Sequence, residues 1–204
     1  MSYQSTSLQT VTSWAVRVLR LDVSVLDEVR QERSATMWAL CVVVVASLAA
    51  GMGAWLWWMV RDFGVGGESD VFLRAFILGG LLQSAVWTLW VYIVYQVLAR
   101  GYGIHLDFSA LIRTMGFAFA PVTLTVLMLI TALAIPIALV ALAATLILTN
   151  YAIESASGTT GSHVLWANIA GFSVFALVMG ILSNISEVSV VGGLAPGIFF
   201  FNLG

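Results

Sequence analysis

Long apolar runs separated by isolated charges make up most of the chain. Charge-free runs extend from Arg33 to Arg61, from Arg74 to Arg100, from Arg113 to Glu154 and from Glu154 to Glu187. A helix rises about 1.5 Å per residue and the hydrocarbon core of a bilayer is about 30 Å thick, so one span needs roughly 20 residues. The third run is long enough for two helices, and each of the others fits one.

This pattern predicts an all-α, polytopic membrane protein with five transmembrane helices. We place the spans near Met37–Val60, Ala75–Leu98, Thr114–Leu133, Ile135–Ile153 and Val164–Ile185. Pro136 supplies the break inside the long third run, with a tight hairpin at Ala134–Pro136. No polar residue marks this hairpin, so a re-entrant pair that never crosses the bilayer also fits the pattern.

An amphipathic N-terminal arm, residues 1–33, precedes the five-span domain, residues 34–185. Apolar residues recur in the arm at helical spacing, with a tryptophan beside them and arginines on the polar side: Leu8, Val11, Ala15, Val18, then Trp14, then Arg17 and Arg20. This spacing predicts a short helix lying on the inner membrane surface. A second helix is expected after Ser24, whose hydroxyl would cap it in a variant capping box with Asp27. Asp27 would also form an exposed pair with Arg30.

Two roles for the arm are open. It either tethers the chain to lipid or docks on a partner protein, with Trp14, Arg17 and Arg20 as the candidate contacts. The arm has no short apolar core followed by small residues, so we do not expect a signal peptide. The apolar C-terminal tail, residues 186–204, is too short to span and is expected to dock on a neighbour at the outer interface.

Composition narrows the class of protein. Apolar residues make up 61% of the chain and charged residues only 9%, so the chain lacks the charged surface that a water-soluble fold needs. The net charge of −2 argues against a nucleic-acid partner. The single cysteine, Cys41, excludes disulfide frameworks and cysteine-based metal sites.

The arginines predict the orientation. With the N-terminus inside, the outer segments carry Arg61 and Arg74, and the inner segments carry the other six: Arg17, Arg20, Arg30, Arg33, Arg100 and Arg113. Positive residues resist translocation, so we predict a multi-pass protein of a bacterial inner membrane with a cytoplasmic N-terminus and an external C-terminus.

Candidate reactive groups are few. His105 and His163 both fall in inner-side connections, where hydrogen bonding is a simpler role than metal or haem ligation. The predicted span interiors contain no ionisable residue, which argues against a pump. Asp107 is a candidate helix N-cap. Nucleotide loops, Ser–His–Asp sets and paired catalytic carboxylates are missing, so we expect no enzyme activity, no metal and no cofactor of the chain's own.

Polar and small residues inside the spans indicate helix packing. The polar residues are amides and hydroxyls: Gln83, Thr88, Gln96, Thr123, Thr125, Thr131, Asn168 and Ser173. Small residues recur four apart, as in Ser47 and Gly51, Ala49 and Gly53, Gly80 and Ser84, Gly116 and Ala120, Ala167 and Gly171, and Ala176 and Gly180. Such residues hydrogen-bond across helices and let backbones approach closely, and we expect them to do so mainly within this chain.

Trp87 and Trp90 lie near the middle of the second span, where each indole N–H needs a partner. A hydrogen bond inside the bundle is one interpretation. Contact with a flat cofactor such as a quinone or pigment, held mainly by another subunit, is the other.

The most distinctive stretch is Leu111-Ile-Arg-Thr-Met-Gly-Phe-Ala-Phe-Ala-Pro121. It resembles the bacterial Yip1 family, whose members show an arginine, a Gly-Phe/Tyr-Ala motif and a proline in the third span. The matching residues are Arg113, Gly116, Phe117, Ala118 and Pro121, and the similarity covers about residues 15–185. The resemblance implies five spans and a cytosolic N-terminus. The chain lacks the Asp-Leu-x-Gly-Pro signature of the GTPase-binding eukaryotic members, and bacterial members have no agreed catalytic residues.

These features predict a non-catalytic accessory or scaffolding subunit of a multi-subunit bioenergetic complex, respiratory or photosynthetic. The expected partners are membrane lipids and other integral membrane subunits. Two alternatives remain open. A small-molecule or lipid carrier would have a polar-lined cavity faced by Gln83, Asn168 and the threonines, and a membrane-shaping, trafficking-like protein would associate with itself in lipid.

Overall fold

The computed structural model describes residues 7–62 and 72–185, except for the side chains of Trp58, Arg61, Asp62, Arg74, Thr131 and residues 183–185. The described chain is helical throughout, with seven α-helices: α1 (Leu8–Leu19), α2 (Val25–Gln31), α3 (Ala35–Asp62), α4 (Gly79–Gln96), α5 (Phe108–Ala118), α6 (Ala134–Ser157) and α7 (Ser162–Ile185). The C-terminal tail and most of the loop predicted between the first two spans lie outside the described residues.

Five helical segments are long and apolar enough to cross a membrane: Ala35–Trp57, Ala75–Gly101, Phe108–Leu129, Ala134–Ser157 and Ser162–Leu182. The second begins within a π-helical stretch, Phe72–Leu78, continues through α4 and ends with a π-helical turn, Val97–Gly101. The third consists of α5 and a 3₁₀ helix, Ala120–Leu129. The prediction of an all-α protein with five such helices is confirmed.

The third span begins six residues earlier than predicted, at Phe108 instead of Thr114. Arg113 therefore lies in the second turn of this helical segment and not at the boundary where it was predicted. The predicted hairpin is also displaced. A short 3₁₀ turn, Thr131–Leu133, precedes α6, and Pro136 occupies the first turn of α6, where its missing N–H costs no helical hydrogen bond.

The 3₁₀ helix of the third span has a threefold pattern of burial. Val122, Thr125 and Met128 are buried, whereas Leu124 and Leu127 are exposed. Three residues per turn place positions three apart directly above one another, so the buried row faces the bundle along its full length. Pro121 follows the end of α5 at Ala118, and a proline has no N–H to continue an α-helix.

Close backbone contacts hold α3 against the third span. A Cβ atom placed on Gly116 would lie 2.8 Å from the Cβ of Ala39, and one placed on Gly53 would lie 2.2 Å from the carbonyl oxygen of Thr125. Only glycine fits at such separations. At these two positions the small-residue pattern serves packing within the chain, as predicted.

The N-terminal arm is part of the folded bundle. The buried apolar residues of α1 are Val11, Trp14 and Val18, and those of α2 are Val25, Leu26 and Val29; all six belong to the same core as the spans. The buried face of α1 therefore includes Trp14, whereas Leu8, assigned to the apolar face from its spacing, is exposed. We call the end of the bundle that carries α1 and α2 the arm end.

Candidate functional site

The candidate site is a junction at the arm end, centred on Arg113 in the second turn of α5. The residue is only 5% exposed, although an arginine is almost never so deeply buried unless its charge has partners. Asp107 starts α5 as its N-cap, because its carboxylate accepts hydrogen bonds from the backbone N–H and the hydroxyl of Ser109. The cap predicted at Asp107 is confirmed.

The Arg113 guanidinium joins three helices. Nε and Nη2 donate to the carbonyl oxygen of Arg30 at 3.2 and 2.9 Å, near the C-terminal end of α2. Nη1 donates to the hydroxyls of Thr36 in α3, at 3.2 Å, and of Ser109 in α5, at 3.0 Å. A cation beside the last carbonyls of a helix is also favoured by the helix dipole. The Arg113 guanidinium therefore serves as a structural clamp, because its N–H groups point at acceptors of the protein.

The second connection from α2 runs to the end of α6. The guanidinium of Arg30 donates to the carbonyl oxygen of Ser155, and the hydroxyl of Ser155 donates to the carboxylate of Asp27 at 2.6 Å. The predicted exposed pair between Asp27 and Arg30 is therefore replaced by two bonds to another helix. Asp27 and Arg30 lie one turn apart on α2, and both form a hydrogen bond with Ser155 of α6.

Arg17 connects α1 to α2. Its guanidinium donates to both carboxylate oxygens of Glu28, at 2.8 and 2.9 Å, and to Asp22 at 2.7 Å. It also donates to the hydroxyl of Ser24 at 3.1 Å. That hydroxyl in turn donates to Asp22 and does not cap α2, so the capping role predicted for Ser24 is wrong. The competing acceptor two residues before Ser24 explains the difference.

Trp14 places α1 on the third span. Its indole N–H donates to Glu28 at 3.3 Å, and its ring packs edge-on against Phe117 with 5.7 Å between the ring centroids. Of the three contact residues predicted in the arm, Trp14 and Arg17 are engaged inside the chain, whereas Arg20 is exposed. Partner contact by these residues stays a prediction.

Hydrogen bonds lower the pKa values of three carboxylates at the arm end. Bonds from Ser24 and Arg17 hold the pKa of Asp22 below its usual value, and bonds from Ser34 do the same for the pKa of Glu32. Partial burial opposes the shift at Asp107, but the bonds from Ser109 and the charge of Arg113 still lower its pKa. The ionised forms of all three carboxylates are therefore favoured by the fold.

The five residues that carry the family resemblance lie close together in the third span. Arg113 forms the junction, Gly116 lies against Ala39, and Phe117 packs on Trp14; Ala118 and Pro121 mark the change from α-helix to 3₁₀ helix. Arg113, Gly116 and Phe117 each contact another helix of the bundle.

Trp87 and Trp90 form an aromatic cluster with Phe119, Phe172 and Phe175 between α4, α7 and the third span. Both tryptophans are fully buried, and neither indole N–H has a hydrogen-bond partner in the described part of the chain. The expected packing is present but the expected hydrogen bonds are not. A second chain could touch these rings only if the bundle opened.

The polar residues expected to face a carrier's cavity serve other contacts. The Asn168 amide donates to the carbonyl oxygen of Leu146 and to the hydroxyl of Thr149 at 3.1 Å each, which joins α7 to α6. The hydroxyl of Thr125 donates to a carbonyl of its own helix. Gln83 is buried. These contacts favour helix packing over a polar-lined passage.

The histidines lie in different surroundings. His105 is exposed, whereas His163 is half-buried with its ring centroid 5.6 Å from that of Tyr102. Among the residues that the structure describes, no three His, Cys, Asp or Glu side chains are grouped to hold a metal ion.

Comparison of the chain with protein-family models, with curated proteins and with solved structures finds no match.

Sequence reasoning singled out Arg113 but missed what it binds. Its main acceptor is a backbone carbonyl 83 positions earlier in the chain, and Ser155 lies more than 120 positions from its partners Arg30 and Asp27. Every residue has a backbone carbonyl, so residue type does not reveal which carbonyl accepts the hydrogen bonds of an arginine. The available indication was the group of arginines and carboxylates before the first span, several of which form these bonds.

Proposed function

We propose that this chain is a non-catalytic accessory or scaffolding subunit of a multi-subunit bioenergetic complex in a membrane. The observation that carries the proposal is the Arg113 junction. The most strongly buried charged group of the described chain directs its hydrogen bonds at helix ends of the same chain, and Arg17, Asp27 and Arg30 are used in the same way. Charged groups in this arrangement hold the helices of one chain in fixed positions relative to one another.

A fixed shape suits a subunit whose role is to hold others in place. The arm, for which a lipid tether and a partner contact were both open from sequence, is bonded through α2 to α5 and α6, so it caps the bundle. The aromatic cluster fills the space between α4, α7 and the third span. Both features favour a scaffold over a carrier that must open and close.

We also propose that the chain is related to the bacterial Yip1 family and that its arm end faces the cytoplasm of a bacterial inner membrane. The support for the first is the segment Leu111–Pro121, and the support for the second is the excess of arginines at the arm end. A cysteine at Ser13 in a Cys41→Ala background tests the orientation. A membrane-impermeant maleimide should label it only after the cells are opened, and labelling in intact cells would reverse the orientation.

The test of the scaffold role is purification from native membranes in a mild detergent, through an affinity tag on the chain. A native gel followed by mass spectrometry should show this chain with other integral membrane subunits that carry redox cofactors, in fixed stoichiometry. A lone band or a homo-oligomer would contradict the proposal.

A further inference from the structure

A stripe of small and polar side chains lies on the outer face of α4. Ala85, Thr88, Tyr92 and Gln96, spaced three or four residues apart, lie on one side of the helix, which we call the α4 stripe. Ala85 and Thr88 are exposed, Tyr92 is 47% exposed and Gln96 is half-buried. The opposite side of α4 carries Trp87 and Trp90 into the core.

The stripe lies at the depth of the hydrocarbon core. Thr88 is the middle residue of the span Ala75–Gly101. At 1.5 Å per residue, Tyr92 is about 6 Å and Gln96 about 12 Å from that level, whereas the hydrocarbon extends about 15 Å to each side. Tyrosines that favour lipid contact lie in the interfacial belts, and Tyr92 lies well inside them.

These side chains lean away from the nearer interface. Side chains of a helix tilt toward its N-terminus, and the N-terminal direction of α4 leads from Gln96 and Tyr92 to the middle of the span. The phenol and the amide are therefore carried deeper into the hydrocarbon. Reaching water would require them to turn against the preferred direction.

The described chain offers no hydrogen-bond partner to two side chains of the α4 stripe, Tyr92 and Gln96. The hydroxyl of Thr88 donates to the carbonyl oxygen of Ser84 at 3.1 Å, so it needs no other partner. Neither the Tyr92 hydroxyl nor the Gln96 amide has a hydrogen bond within the described residues. Lipid tails offer neither donors nor acceptors, so leaving these groups in hydrocarbon is costly.

We infer that the α4 stripe is the docking surface for a transmembrane helix of another integral membrane subunit. This inference rests on the scaffold role proposed above and names the surface that serves it. The partner helix presents small residues at the level of Tyr92, so that the ring enters a recess, and an amide or hydroxyl side chain at the level of Gln96. Ala85 and Thr88 let the two backbones approach closely beyond the ring.

A second copy of this chain fits the stripe less well. In a twofold pair about the membrane normal, identical residues meet at the same depth. Tyr92 would then face Tyr92, and two phenol rings at one crossing would hold the helices apart where Ala85 and Thr88 favour close approach. A different subunit with a recess avoids this conflict.

The first experiment replaces both polar side chains with apolar ones in the full-length tagged chain. Tyr92→Leu with Gln96→Leu suits a lipid-facing surface, so the variant should insert and fold. The matched control is Tyr102→Leu, because Tyr102 is 50% exposed and lies just beyond the end of the span Ala75–Gly101. We expect the double variant to retain roughly one tenth of the co-purifying subunit and the control to retain all of it.

The second experiment places a photoreactive phenylalanine analogue at position 92, and for comparison at the exposed Leu177 of α7. The cross-link from position 92 should map by mass spectrometry to a transmembrane helix of the subunit lost from the double variant. A cross-link to a second copy, or to lipid alone, would overturn the inference.

The two proposals fail separately. If the unaltered chain purifies alone, the scaffold role fails. If it purifies with a partner that the double variant retains fully, the scaffold role stands and the docking surface on α4 is wrong.

Discussion

The guanidinium of Arg113 donates two hydrogen bonds to the backbone carbonyl of Arg30, although the two residues lie 83 positions apart. This relationship fixes the C-terminal end of α2 against the first turns of α5. Because Arg30 also reaches Ser155 at the end of α6, a single backbone carbonyl and its own side chain connect three helices at the arm end.

Replacing Arg113 should loosen this end of the molecule. Arg113→Met keeps the length of the side chain but leaves the Arg30 carbonyl and two hydroxyls without a donor, so we expect a loss of about 2–4 kcal/mol of unfolding free energy. Arg113→Lys should recover only part of it, because one ammonium group lacks the planar fork. Chemical unfolding in mixed micelles measures both.

The control for this series is Arg20→Met, since Arg20 is exposed on α1. Its effect should stay within about 0.5 kcal/mol. An Arg113→Met variant as stable as this control would show that the junction does not hold the arm.

The buried indole of Trp90 predicts that phenylalanine and alanine substitutions differ widely in their effect on stability. Trp90→Phe removes an N–H that has no partner in the described chain while keeping a ring in the cluster, so stability should change little. Trp90→Ala should cost about 3–5 kcal/mol through the cavity it leaves. Thermal unfolding in detergent compares the two, and a phenylalanine variant as unstable as the alanine variant would mean that the indole N–H is hydrogen-bonded after all.

The contact between Gly53 and the 3₁₀ helix predicts a steric effect. A methyl group at Gly53 would lie 2.2 Å from the Thr125 carbonyl oxygen, so Gly53→Ala should force the helices apart and lower the melting temperature. At Gly101 the nearest atom is a side-chain carbon of Val97 at 4.0 Å, and Gly101→Ala should be neutral. Equal melting temperatures for the two variants would contradict the close packing.

The carboxylates of the arm end predict a dependence on pH. The folded-state pKa values of Asp22, Glu32 and Asp107 are lowered, so their contribution is present above the ordinary carboxyl pKa and is lost as the pH falls through the lowered values. Hydrogen exchange, corrected for its intrinsic rate, should show α1 and α2 protected at neutral pH and less protected below about pH 4. Protection of the middle of α6 should not change over that range. Equal protection of α1 and α2 at every pH would show that these carboxylates do not stabilise the arm.

Much of the fold follows from where the charges are missing. Charge-free runs predicted five spans because a bilayer excludes charge, and Asp107 predicted the start of α5 because its side chain caps locally. The same rule misplaced the third span. Arg113 was taken as a boundary, yet it lies within the helical segment, hydrogen-bonded to α2 and α3 and 3.7 Å from the carboxylate of Asp107.

The change of helix type could be predicted only in part. Pro121 indicates that the α-helix is interrupted, but the residues from Val122 to Leu129 are almost uniformly apolar and show no period of three. The threefold burial depends on what surrounds the segment, with α3 approaching so closely at Gly53 that backbone meets backbone. The arm likewise had a correct helical pattern, since Val11 and Val18 were assigned to the apolar face and are buried, but the bundle buries Trp14 in place of Leu8.

The most direct test of the central claim compares membranes with and without this chain. In a strain lacking its gene, we measure both the amount of assembled partner complex and the electron-transfer turnover of each assembled complex. The account predicts that less complex assembles while each assembled complex turns over at its normal rate. Full assembly with turnover abolished would contradict it, since the chain would then take part in the chemistry itself.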